Sequence, residues 1–440
     1  MSVLPSPSNT SAPQSKGYEA NLDDLLLRFA VGPGRQLNIN TAPLQAQAIQ
    51  TSETPEDFQQ EFGQIYSRTD FSGGSGLDKA HKRDAGEFAF TRFWDSKGVD
   101  VFSGKEVGQE YKVSLLKATE ELSSTTNTNL YMEEMSGSIF FADSDVLKRI
   151  DTPTAASITV TSETAPSAGN AISAIAVLGT QLYLVANGVI YKRTAASTYS
   201  TFNSTKTFSK IWSMKGRIVA SDTSGDLYEV TGAGSPTTMK TLPTGTEWTD
   251  LADGGAVVLG AASDGYIYSF ADESSSLTLK GQTFIEGEVP NAIDAAQGFI
   301  FYGTFQNTAS GKIGRLYRAE ITNSNSLFVL VNAQLIKQWG DGTTTIDQAP
   351  YKIISTRDSI YTGIKDSGSV TNLWRYYLPT TGIARDLEFA EGGIVEGLAV
   401  FSDRIFATIS GGGLYREATT FVSSGYIITA LADFFTSEKK

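Results

Sequence analysis

The chain has 440 residues, with 35 basic and 48 acidic side chains and a formal net charge of −13. It contains no cysteine and one histidine, His81, so disulfides, thiolate chemistry, cysteine or multi-histidine metal centres within one chain, and any Ser-His-Asp triad lacking His81 are excluded. The acidic balance argues against a nucleic-acid partner, no apolar run approaches the ~20 residues that cross a bilayer, and residues 1–7 do not read as a secretory signal.

Residues 1–87 read as an extended N-terminal arm with short helical turns. Residues 1–15 are Ser, Pro, Asn and Thr, too polar to order themselves. Residues 21–29 fit a short helix, with Asn21 as cap and Leu22, Leu25, Leu26 and Phe29 on one face. Thr54 before Pro55 caps a second turn. No strand alternation stands out, and there are too few apolar residues for a separate core. Phe58, Phe62, Tyr66 and Phe71 are spaced like anchors, and Trp94 follows. Large aromatics are costly to expose in a free linker. They are therefore expected to dock on a neighbouring subunit, the alternative being a disordered leader.

From about residue 88 to 434 the texture is short β-type runs between Gly, Asp, Asn, Ser and Thr, and 435–440 reads as a tail. One phrase recurs: a turn, an aliphatic residue, then an aromatic. Its aromatics are Tyr191, Tyr228, Tyr268, Tyr317, Trp374 and Tyr415, spaced by 37, 40, 49, 57 and 41 residues. Upstream of each lies a strand–turn–strand, as in AISAIAVLGTQLYLVA and FSKIWSMKGRIVASD. A degenerate further copy begins near Asn129, with Leu147 in the aromatic's place. Four strands per roughly 40–45 residues is the period of a propeller blade. The expected fold is all-β, a β-propeller of seven four-stranded blades. Residues 88–94 and 99–102 are the candidates for a strand that closes the ring. Long insertions after Tyr268 and Tyr317 are expected to extend the fourth and fifth blades and to offer contacts.

Chemistry is sparse. Ser221–Asp226 and Ser263–Gly265 superficially suggest Asp-boxes but lack the Thr-Trp that completes that motif, so they read as hairpin turns. The run from Asp341 to Asp347 lacks the ladder of oxygen ligands a Ca²⁺ loop requires. Glu133 with Glu134, and Asp250 with Asp253, are carboxylate pairs without a fold to aim them. His81 lies among Lys79, Lys82 and Arg83 and is a poor base. Gly73–Gly76 has no P-loop context. No catalytic residue, metal or cofactor is expected.

Within residues 51–101, the words Glu61-Phe62-Gly63, Asp70-Phe71-Ser72-Gly73-Gly74, Ala80-His81-Lys82-Arg83 and Arg92-Phe93-Trp94-Asp95-Ser96 carry a resemblance. This stretch resembles the segment preceding a propeller-like repeat in uncharacterised virion proteins of tailed bacteriophages. Ser424–Thr429 is similar to the strand that leaves the repeat there. The resemblance implies a tail-associated structural or adaptor subunit, made in the host cytoplasm and carried in the virion. Its partners would be other virion proteins in a symmetric multi-copy assembly. The alternatives are a host receptor-binding propeller that stacks sugars on exposed Tyr and Trp, and, further off, a glycan-active enzyme with Arg, Tyr and carboxylates clustered on the axis.

Overall fold

The computed structural model describes residues 3–5, 17–22, 25–31, 37–43, 64–68, 71–76, 92–103, 112–273, 276–340, 345–366 and 368–428, with backbone alone up to residue 68. The chain divides into two compact units. One comprises Met1–Ser114 with Tyr426–Lys440, the other Leu115–Gly425. The repeat-bearing unit is thus narrower than the expected 88–434. Among the described residues every regular element is a strand, and no helix is long and apolar enough to cross a membrane.

The first unit corrects the reading of the arm. Val3–Pro5, Gly17–Leu22, Leu25–Val31, Leu37–Pro43 and Gln64–Arg68 form one antiparallel five-stranded sheet in chain order. The helix expected over 21–29 is a hairpin instead, with Leu22 opposite Leu25. Leu25, Leu27, Phe29 and Val31 alternate as well as they follow a helical stripe, and Leu37, Ile39 and Thr41 alternate in the next strand. A short apolar run fits both periods, and pairing with a neighbour decides between them. In the same unit Asp95–Lys97 pairs antiparallel with Tyr426–Ile428.

The second unit is a β-propeller. Each of its sheets, A to G in chain order, is a run of antiparallel strands. Sheet A spans 132–164, B 172–203, C 208–241, D 248–284, E 289–339, F 353–389 and G 395–421. A to E and G are six four-stranded blades. In F, Ile353–Ser355, Ser359–Lys365, Thr371–Tyr377 and Gly382–Phe389 pair in order. G supplies three of its own strands and takes its fourth, Lys117–Ser124, from the start of the unit. That strand closes the ring. Of the runs named for this role from sequence, Val99–Ser103 pairs with Lys112–Leu115 and Arg92–Phe93 with Gly74–Ser75, while 88–91 lie outside the described residues.

The recurrent phrases map onto fixed positions. The most apolar run of each repeat is a second strand, such as Gln181–Ala186 or Val257–Ala262, buried on both faces between neighbouring sheets. The aromatic phrase is the third strand; in A the buried Leu147 aligns with the aliphatic residue of the phrase, not with the aromatic as expected, and Lys148 stands at the aromatic's position. Tight turns join neighbouring strands within a blade: Asn187 and Gly188, between the second and third strands of B, and Lys215 and Gly216, between the first and second strands of C, all take positive φ at two-residue hairpin turns. Adjacent sheets share apolar cores. Ala252, Leu259, Ile293, Ile300 and Tyr302 fill the space between D and E. Met132, Phe141, Phe406 and Leu414 fill that between A and G.

Candidate functional site

The first strands of consecutive sheets lie against one another, and that of A lies against that of G, so these strands line the axis. In B, C, D, E and G the pairing of first with second strand slips at one equivalent place, leaving Ser173, Ser209, Thr249, Asn291 and Glu396 as bulged residues. A bulge bends the strand and re-aims its side chains. Here it turns polar groups across to the neighbouring blade. Thr249 Oγ1 donates to the Pro290 carbonyl at 3.1 Å, Asn291 Nδ2 to that of Pro350 at 2.9 Å, and Lys210 Nζ to that of Trp248 at 2.8 Å.

Beside these stitches the axis gathers ionisable groups from distant parts of the chain. Asp250, buried, accepts the indole N–H of Trp212 at 3.2 Å and the backbone N–H groups of Leu251 and Ile293 at 3.0 and 3.3 Å. Lys352 Nζ lies 3.6 Å from it. Asp294 accepts the Ser355 and Ala295 backbone N–H groups at 2.6 and 2.8 Å. Burial pushes the Glu133 carboxyl up to about 7, against the pull of Lys352. Burial does the same to Glu396, to about 7, against Lys210. Lys352 in turn is held above the usual lysine range, by Asp250 first and then by Glu133 and Asp294. The fold therefore brings Glu133 and Asp250 within electrostatic reach of one lysine, Lys352. Asp253 instead pairs with Lys215 at 2.6 Å, toward the opposite end of its strand.

The arginine ion pairs stand elsewhere. Arg149 and Arg193 meet at Glu163, Arg217 bridges Glu229 and Asp272, Arg315 pairs with Glu288, and Arg416 with Glu120. None of these arginines is on a first strand. No group of three or more carboxylates or histidines suited to a metal occurs among the described residues.

The Asp-box-like runs are turns. Asp222 accepts the backbone N–H groups of Ser224 and Asp226 at 2.9 and 3.0 Å and the Tyr228 hydroxyl at 2.9 Å. Asp264 repeats the device with Tyr266 N–H at 3.1 Å and the Tyr268 hydroxyl at 2.6 Å. These carboxylates tie the turn to the aromatic anchor of the next strand and have no free oxygen to aim at a ligand. Asp347 accepts from Ala349 N–H and the Tyr351 hydroxyl and pairs with Lys312 at 2.8 Å. Asp341 to Thr344 lie outside the described residues, as does His81.

The docking aromatics are dispersed. Phe58 and Phe62 lie outside the described residues, and Tyr66 is in the strand Gln64–Arg68. Phe71 is buried, edge-to-face with Phe93 at 6.4 Å, so it packs within its own chain. Trp94 is 41% exposed while its backbone N–H donates to Ile428. The insertions after Tyr268 and Tyr317 do extend strands, to Ser276–Phe284 in D and to the hairpin Lys312–Ser324 and Leu327–Trp339 in E. Part of that extension is spent internally, because Thr283 Oγ1 accepts the Leu330 N–H across the two outer edges. Their exposed large apolar residues are Phe284, Leu327 and Leu335, whereas Trp339 is buried.

Sequence reading missed Lys210, Trp212, Asp294, Lys352 and Glu396. A signal was available: aligning the repeats on the start of each first strand puts polar residues at one place in otherwise apolar runs.

Compared by sequence, the chain matches no protein-family model and no curated protein. Compared by structure, it is similar to a solved structure described as RRP9 WD40 repeats, at 12% identity and TM-score 0.50, over 68% of this chain and 98% of that one. A chain of a mitotic checkpoint complex aligns at 12% identity and TM-score 0.49, over 74% of this chain and 100% of that one. At such identity the likeness is one of fold, the β-propeller.

Proposed function

We propose that this chain is a non-enzymatic interaction propeller of seven blades that serves as a tail-associated structural or adaptor subunit of a bacteriophage particle. The observation carrying the non-enzymatic reading is how the axial polar groups are used. Asp250 and Asp294 accept backbone and indole N–H groups, and Lys210, Thr249 and Asn291 donate to neighbouring carbonyls. Such groups hold neighbouring blades together rather than converging on a substrate. A count of seven is supported by Ile353–Ser355 of F, which packs between the first strands of E and G as its equivalents pack between theirs. Propellers without such chemistry present rigid loops for protein contacts. The virion assignment rests on the resemblance of residues 51–101.

The test is to purify tailed particles from the source of this sequence and probe them by mass spectrometry and with antibody-gold against the propeller. Regular labelling of the tail, at constant copies per particle, is the expected result. Absence of the chain from particles overturns the virion assignment. Saturable binding of the purified chain to host cells would favour the receptor-binding alternative.

A further inference from the structure

The five-stranded sheet of the first unit has two unlike faces. Its strands pair antiparallel in chain order, from Val3–Pro5 to Gln64–Arg68, with an unbroken register. Residues opposite one another in such a ladder share a face, and the face alternates along each strand. The register therefore sets Pro5, Tyr18, Phe29, Ile39 and Tyr66 in one row across all five strands. Leu25, Leu27 and Val31 flank that row on the same face. The adjoining row, on the other face, holds Glu19, Arg28 and Asn40. One face is thus apolar across its breadth, and the other carries charge and amides.

A sheet with one apolar face needs a second layer over it. The other strands described in this unit are two to five residues long, too short to make that layer. The propeller's sheets already cover one another's faces. The layer of matching breadth that the chain itself can supply is the same sheet of a second copy. Strands of three, six, seven, seven and five residues offer roughly 450 Å² of face, at about 16 Å² per residue. Two such faces, with side-chain relief, bury about 1,000 Å², the size at which a specific interface holds. Two equal sheets packed face to face are self-complementary about a two-fold axis, the commonest symmetry of homodimers. We infer that this sheet is a dimer interface, packing its apolar face on the same face of a second copy of the chain. Such pairing is independent of the virion assignment.

Sedimentation velocity on the full chain at micromolar concentration should give a dimer, at twice the 47.2 kDa of one chain. Phe29→Lys, in the middle of the apolar row, should weaken it at least about tenfold. Arg28→Glu, on the other face of the same strand, should leave it intact. Circular dichroism melts check that each variant is folded. Cross-linking tests the geometry without adding a charge to the face. The chain has no cysteine, so single thiols can be introduced without background. Leu25–Val31 is the central strand, and a two-fold axis that superposes the two faces passes near its middle. A short bismaleimide should therefore link two copies through Leu27→Cys and not through Arg28→Cys. A chain that stays monomeric, a dimer indifferent to Phe29→Lys, or linkage through Arg28→Cys instead overturns the proposal. In a monomer, Leu27→Cys shielded from maleimide would assign the cover to another part of the same chain, and free labelling would show the face uncovered.

Discussion

The joints D–E and G–A do the same job by different means. At D–E the two sheets are consecutive in the chain. Their core is aliphatic and aromatic, and their outer edges are in direct contact where Gly281 meets the backbone of Phe328. At G–A the partners come from opposite ends of the propeller unit, and the outer part is polar: Arg416 reaches Glu120 on the closing strand and three carbonyls of the loop in A. The closing strand is held only by non-covalent contacts, since no short connection ties it to G, so specific polar bonds take over what chain continuity supplies elsewhere. An open ring would leave two unpaired sheet edges. The difference teaches that the closing joint leans on polar bonds where the D–E joint leans on packing.

Substitutions at each joint should break this contrast if it is wrong. The largest effect is expected from Ile300→Ala, in the D–E core and 1% exposed, at about 3 kcal/mol. Denaturant unfolding measures it, and a loss well under 1 kcal/mol would mean that joint is not packing-dominated. Arg416→Ala should cost somewhat less, about 2 kcal/mol. Glu120 is 44% exposed and can recover water, while the three carbonyls lose their donor. Limited proteolysis should then cut first near the closing strand. Gly281→Ala should cost about 1–2 kcal/mol, because a Cβ there would meet the Phe328 carbonyl oxygen at 2.0 Å and push the outer edges of D and E apart. Thermal melts and exchange protection of the Leu327–Trp339 amides read that separation.

The smallest effect concerns pH at the axis. The folded protein holds the Glu133 proton up to about pH 7, whereas the unfolded chain releases it near the ordinary value of 4.5. Between these values the folded state binds more protons, so this group makes stability fall as pH rises through the window and level off above it. Glu133→Gln should flatten that fall, with Glu396 sustaining the rest. An unchanged slope of stability between pH 5 and 7 would contradict it.

Much of the propeller was legible because its repeats obey local rules. The Leu/Ile-Tyr phrase marks a third strand wherever it occurs, and Asp222 and Asp264 were readable as turn residues because a carboxylate bonds to backbone N–H groups a few positions on. The site was barely legible. Glu133, Asp250 and Lys352 are more than a hundred residues apart from one to the next and meet only because the ring brings first strands together.

Sequence by itself determined the strand–turn rhythm, the all-β class, and the exclusion of cysteine and multi-histidine chemistry, since these depend on residue identity and on contacts a few positions apart. Tertiary structure decided what alternation could not. Residues 21–29 carry both a helical stripe and a strand alternation, and pairing with Leu37–Pro43 chose the strand. Which strand closes the ring was likewise open, because 88–94, 99–102 and 117–124 are all short β-type runs. The edge left on Gly413–Phe421 selects Lys117–Ser124 by register, with Arg416 opposite Glu120, and register between distant strands is not written in either strand alone.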